Sequence, residues 1–166
     1  MGKIVNITEA VSIALHAMVI VAQNDKHGKQ VNVNFIAEQT NSSRFHIAKV
    51  MQKLVKDGFI GSHRGPAGGF YMIKEPDEIT LLEIYEAIEG KLEVTKCPLN
   101  RPTCPFKSCL FEGVTVQMTR SFKILWRGIH WHITSNNLFF TVSQKVRCFF
   151  EIVLQKCFMI LFHGRF

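Results

Sequence analysis

Between residues 8 and 23 the chain is almost continuously apolar, dense enough for a buried helix, with Thr8 or Asn6 placed to cap it. The polar run DKHGKQ (25–30) then predicts a loop, and residues 31–33 a short extended segment. Asn34 is placed to cap a short helix, FIAEQT, and Asn41 with Ser42 to turn the chain. The next stretch, 43–56, is two-faced. Ile47, Val50, Met51, Leu54 and Val55 recur at helical spacing, while Arg44, His46, Lys49, Gln52, Lys53 and Lys56 take other positions. Ser42 or Ser43 caps this helix, and Asp57-Gly58 ends it. Two strand-like runs follow, 59–62 and 70–73, with HRGPAGG between them. Pro76 and Asp77 lead into TLLEIYEAIE (80–89), where Thr80 and Glu83 have capping-box spacing and Gly90 stops the helix. Farther on, Phe111, Val114, Met118, Phe122 and Leu125 repeat every three or four residues. That spacing predicts a long helix from 110 to about 125, its apolar stripe serving as core or as a dimer seam.

Two short helices joined by a tight turn, the second basic outside, form a helix-turn-helix pattern, and a hairpin directly after them is a wing. The expected fold is mostly α with a small β-hairpin wing: a winged helix-turn-helix plus a long dimerisation helix. Its expected partner is double-stranded DNA. Ser43, Arg44, His46 and Lys49 lie in the first turns of the second helix, where base edges are read. Lys53, farther along, is placed for phosphate or solvent. His63, Arg64 and Gly65 form the wing's crown, and Arg64 is the residue type that enters a narrow minor groove. Gly65, Gly68 and Gly69 are expected to let the backbone approach a phosphate or a groove wall. The plainer alternative is an amphipathic helix on a small core, followed by an ordinary hairpin turn.

Charge changes this picture less than it first promises. The 166 residues carry a net charge of +7, which invites a nucleic-acid reading. Residues 1–119, however, hold 13 Lys and Arg against 12 Asp and Glu, whereas residues 120–166 hold 7 against the single acid Glu151. The excess belongs to the tail. Glu9 precedes the first apolar stretch, His16 interrupts it and no clear small-residue cleavage site follows, so a buried helix is expected there in preference to a secretion leader. No run reaches the roughly 18 to 20 apolar residues of a membrane span, so no membrane partner is expected. A Walker-type glycine loop, a nucleophile elbow and an HExxH helix are all missing, so no enzyme is expected.

Chemistry concentrates in CPLNRPTCPFKSC, where Cys97, Cys104 and Cys109 fall within thirteen residues. Bunched thiolates in a chain without a leader are more often metal or redox ligands than disulfide partners. Thiolate is the soft ligand that iron–sulfur clusters require. Pro98, Pro102 and Pro105 stiffen the loop, and Lys96, Arg101 and Lys107 favour thiolate over thiol. Three thiolates leave one position of a four-ligand site to another group. A structural zinc site and plain reduced thiols remain open beside the cluster.

The wing RGPAGGF, followed by EITLLEIYEAIEG and then the three cysteines, resembles the Rrf-type winged-helix regulators, the group of IscR, NsrR and RirA, over about residues 1–119. The resemblance implies a dimeric bacterial transcription factor, cytoplasmic. It implies a [2Fe–2S] cluster on the cysteines that reports iron–sulfur status, nitric oxide or redox state, or else a cluster-free repressor of the same family. In relatives the fourth ligand is a His shortly after the third cysteine or an acid in the partner's first helix. The matching positions here are Glu112 and Glu9, with Glu9 first and His16 a weaker third. Several relatives space the cysteines C-x5-C-x5-C; here the spacing is C-x6-C-x4-C, with the same outer separation.

The organisation expected on these grounds has four parts: a DNA-binding domain over 1–90, a cysteine loop over 91–109, a dimerisation helix over 110–127 and an atypical tail over 128–166. From residue 120 on, the chain holds 10 of the 18 aromatics, both tryptophans, Cys148 and Cys157. VRCFFEIVLQKCFMILF (146–162) has the spacing of an amphipathic helix. The abrupt loss of acids near residue 120 fits a frameshifted end; extra dimer packing and membrane contact are the other two readings.

Overall fold

The computed structural model describes residues 6–65, 68–95, 97, 106–107, 111, 113–133 and 138–142, with side chains up to residue 130. The first helix, α1 (Glu9–Asp25), is the hub. Val11, Ala14, Ala17, Met18 and Val21 along it are fully buried. It packs against the second helix of the helix-turn-helix, the helix at 81–89 and the wing. Thr8 caps it, accepting from the Val11 N–H at 3.3 Å and donating to Glu89 Oε1 at 2.7 Å. One hydroxyl thereby closes the start of α1 and ties it to the end of another helix.

The helix-turn-helix is α2 (Val33–Thr40) and α3 (Arg44–Lys56). α2 begins earlier than expected, because its cap is Asn32 and not Asn34: Asn32 Oδ1 accepts from the Phe35 N–H at 3.0 Å. The reason lies in the wing, since Val31 is held extended by pairing with Phe70 and the chain turns helical at once beyond it. Asn41 makes the turn between the helices at φ 49°, a left-handed conformation that asparagine tolerates. Ser43 then caps α3, its Oγ accepting from the His46 N–H at 3.1 Å. The buried face of α3 is Ile47, Val50, Met51 and Leu54, with Val55 only partly buried against it.

β1 (Ile60–Ser62) and β2 (Phe70–Met72) pair antiparallel as the wing, with Ile60 opposite Met72 and Ser62 opposite Phe70. Val31 adds a third position on the far side of Phe70. This corrects the role expected of two glycines. A Cβ on Gly69 would sit 2.8 Å from the Val31 carbonyl oxygen, and one on Gly68 would run into the His63 carbonyl. Both are needed for the hairpin to close on itself and on Val31. Gly65 alone, at φ 121°, keeps the expected freedom at the exposed crown.

A 3-10 turn (Pro76–Glu78) leads into α4 (Leu81–Glu89), which opens with the predicted capping box: Thr80 Oγ1 accepts from the Glu83 N–H at 3.2 Å, and Glu83 Oε2 accepts from the Thr80 N–H at 2.8 Å. Gly90 ends it at φ 82°. α5 (Val114–Arg127) starts later than the predicted residue 110 and packs on α4 through an aromatic trio. Tyr85 meets Phe122 edge-on at 5.1 Å and Trp126 at 5.7 Å, while Phe122 and Trp126 stack at 4.4 Å. The apolar stripe thus divides. In its second half Phe122 packs, partly buried, against the core; Val114 and Met118 stay about half exposed, at 50% and 52%.

A second hairpin, β3 (Ile129–Ile133) and β4 (Leu138–Val142), was not expected from the sequence. Thr80 bridges to His130, whose Nδ1–H donates to the Asp77 carbonyl at 2.9 Å. The helix expected over 146–162, with Cys148 and Cys157, lies outside the described residues. Among the described residues, no helix is long and apolar enough to cross a membrane.

Candidate nucleic-acid interface and thiol loop

α3 presents one face to the core, so its opposite face defines what a partner meets. At about 100° per residue, Ile47, Val50, Met51 and Leu54 gather on one side, and Phe45, Lys49, Gln52 and Lys56 fall within an arc of roughly 60° on the other. These four outward residues are all exposed. The expected contacts divide around this ridge. Lys49 lies on it, its Nζ 4.3 Å from the centre of the Phe45 ring. Ser43 and Arg44 are exposed at the capped N-terminus.

His46 and Lys53 occupy the flank nearest the rest of the protein. His46 Nδ1 lies 3.7 Å from Glu9 Oε1 of α1, its side chain 33% exposed. Lys53 Nζ donates to the Ile88 carbonyl at 2.8 Å, closing the last turn of α4. The sequence assigned Lys53 to phosphate or solvent; the fold assigns its ammonium to a helix end.

The wing is ordered from inside. His63 stacks on Tyr71 with ring centres 4.6 Å apart, and its Nδ1 lies 2.7 Å from Gln30 Nε2. Arg64 and Gly65 stand exposed beyond it.

Sequence reasoning missed Phe45. It is 71% exposed, more than any other large apolar side chain among the described residues. Its signal was available, because position 45 falls outside the i, i+3, i+4 series of the buried stripe.

The thiol loop is built on a pinned base. After Gly90, the Leu92 N–H donates to Glu86 Oε1 at 3.2 Å and the Leu92 carbonyl accepts from Lys123 Nζ at 2.8 Å. Lys123 also pairs with Glu86 at 3.4 Å. Thr115 Oγ1 reaches the Thr95 carbonyl at 3.5 Å. Thr95 and Thr115, on either side of the cysteine segment, therefore meet between α4 and α5. Cys97 is a free, half-buried thiol just beyond that base. Cys104, Cys109 and Glu112 lie outside the described residues. Glu9 is 76% exposed and faces His46. Among the described residues, no group of three metal-ligating side chains converges.

The comparisons agree with this architecture. The family model for Rrf2, an iron-dependent transcriptional regulator, matches residues 7–125. The chain is 30% identical over 120 residues to the HTH-type transcriptional regulator NsrR of Shouchella clausii, covering 68% of this chain and 79% of that protein. It is 31% identical over 122 residues to the HTH-type transcriptional regulator IscR of Aliivibrio salmonicida, covering 74% of this chain and 66% of that one. Among solved structures it is similar to T. potens IscR, with a TM-score of 0.59 at 20% identity over 76% of this chain and 82% of the other. It is also similar to CymR, the global cysteine regulator of B. subtilis, with a TM-score of 0.55 at 23% identity over 72% and 87%. Matched from α1 through most of α5 and sharing the winged-helix fold, the chain belongs to the Rrf2 family, a family of transcriptional regulators and not of enzymes.

Proposed function

We propose that this chain is a DNA-binding regulator that reads double-stranded DNA with α3 and the wing, as a homodimer in the cytoplasm, and senses redox, nitric oxide or iron–sulfur status through its thiol loop. The observation that carries the DNA reading is the outward ridge of α3. It opens at a capped N-terminus, contains no acid along the whole helix, and is followed directly by a hairpin with Arg64 at its exposed tip. Ser43, Arg44 and Lys49 are its base and phosphate contacts, with His63, Arg64 and Gly65 from the wing.

Cys97, Cys104 and Cys109 are the proposed thiolate ligands of a [2Fe–2S] cluster, with Glu9 from the partner subunit or Glu112 as the fourth. A half-buried free thiol beside a pinned loop base fits this donor set. When bound, such a cluster supplies a one-electron centre and a target for nitric oxide. The chain's own residues connect the loop to the reading helix. Glu86 and Lys123 hold Leu92 at the loop entry, and Lys53 holds Ile88 four residues earlier. A change in the order of the loop acts on the same α4 end that Lys53 of α3 grips. The four-part division expected from the sequence remains part of this proposal, and residues 128–166 lie beyond the matched region.

Anaerobic purification tests the loop. A brown protein absorbing between roughly 320 and 460 nm, as thiolate-ligated iron does, supports the cluster. A colourless protein with stoichiometric zinc, or with no metal, overturns it in favour of the cluster-free repressor. DNA selection from random duplexes tests the interface separately: no enriched duplex with either form overturns the DNA reading. Removal of 128–166 is expected to leave that selection unchanged.

A further inference from the structure

We propose that Phe45 is a specificity-determining residue that reads the C5-methyl group of thymine in the major groove, with Lys49 held against its ring to contact the neighbouring base or phosphate. The inference rests on the DNA-binding reading above and names what one position of the helix recognises.

An aromatic ring left in water forgoes the free energy of burial, so its exposure needs a reason. Phe45 is the most exposed large apolar side chain among the described residues, at 71%. It stands on the side of α3 opposite Ile47, Val50, Met51 and Leu54, away from the core that the described residues form. It is the second residue after the Ser43 cap, in the turn that enters the groove first in helix-turn-helix docking.

Charge then chooses among partners. Arg44 beside it, Lys49 against it and Lys56 along the same ridge are exposed cations, and α3 holds no acid. An apolar surface in a cationic frame suits a polyanion that offers an apolar feature. In the major groove that feature is the thymine methyl, which adenine, guanine and cytosine lack. The lysine fixes the geometry. With Nζ 4.3 Å from the ring centre, it restrains the Phe45 ring and keeps a donor beside it. Ala48 beside this ridge is small, so a base edge can approach the ring.

The test uses the full chain and the duplex that the wild-type protein selects. Each thymine is replaced in turn by deoxyuridine, which removes the methyl group and leaves base pairing intact. For the wild type, one or two positions are expected to lose about four-fold in affinity, the worth of one buried methyl, and the remaining positions nothing. In Phe45→Ala those same substitutions are expected to have no effect, while Phe45→Leu retains part of the discrimination. Circular dichroism confirms that the variants fold. Equal uridine sensitivity in wild type and Phe45→Ala overturns the proposal while leaving the DNA reading in place, as does a wild type indifferent to every uridine. A wild type that selects no duplex overturns both. Phe45→Ala that binds DNA unchanged but loses a protein partner assigns the ring to that partner and also overturns it.

Discussion

Lys53 separates two accounts of the same residue. On sequence it is one more lysine of a basic helix, placed to meet phosphate. In the fold its ammonium donates to the Ile88 carbonyl at 2.8 Å, across from α3 to the end of α4. Substitution with Met keeps the aliphatic stem and removes only the charged donor. A hydrogen bond to a charged group contributes roughly 1.5–3 kcal/mol when well shielded, and a cation at a helix C-terminus about 0.3–1 kcal/mol. Lys53 is largely exposed, so screening brings the expected loss to about 1 kcal/mol. Urea unfolding reads it as a lower midpoint at unchanged slope. The second assay is the dependence of DNA affinity on salt. Each phosphate neutralised contributes about 0.9 to the slope of log K against log salt. Lys53→Met is expected to leave that slope unchanged, whereas Lys49→Met lowers it. A Lys53→Met protein of wild-type stability whose slope falls by about 0.9 would falsify the reasoning and return Lys53 to the backbone of the DNA.

Other expectations follow from single contacts. Thr80→Ala removes the acceptor for the Glu83 N–H and the donor to Glu83 Oε2; the expected cost is about 1 kcal/mol, read by chemical denaturation, with Thr80→Ser recovering most of it. Burial holds the Tyr85 phenol above its ordinary value against an Asn6 N–H that lowers it, and the negative charge of Glu89 adds to the rise. The folded chain therefore keeps a proton that the unfolded chain releases near pH 10. The resulting stability is fully present below that pH and is lost as pH climbs through the folded value. Tyr85→Phe is expected to lose less stability than the wild type between pH 9 and 11; parallel losses would show that another group is responsible. Gly69→Ala forces a methyl to within 2.8 Å of the Val31 carbonyl oxygen, so the Val31–Phe70 pairing is expected to open, seen as faster amide exchange at Val31 and Phe70 with α4 unaffected.

Local rules carried much of this protein. Thr8, Ser43, Thr80 with Glu83, and Gly90 terminate their helices as their spacing predicts, because a cap is satisfied by its own first or last turn. The stripe Ile47, Val50, Met51 and Leu54 names the buried face of α3 for the same reason: helical period is a property of the backbone. The wing and the family resemblance were readable because short motifs fix short structures.

Contacts between distant residues were not readable. Asn32 displaces Asn34 as a cap only because Val31 pairs with Phe70, thirty-nine positions away in the chain. Lys53 leaves the candidate interface because α4 ends beside it, and Phe45 enters because it stays 71% exposed on the outward face of α3. A charged residue and an apolar one exchanged the roles their chemistry suggests. Composition sets what a side chain prefers, but the packing of α1, α3 and α4 sets which preferences are met. The sequence by itself determined the first four helices, the wing, most of the caps and the family. The tertiary structure decided which face of α3 is free, since exposure is a property of the assembled helices and of no one helix alone.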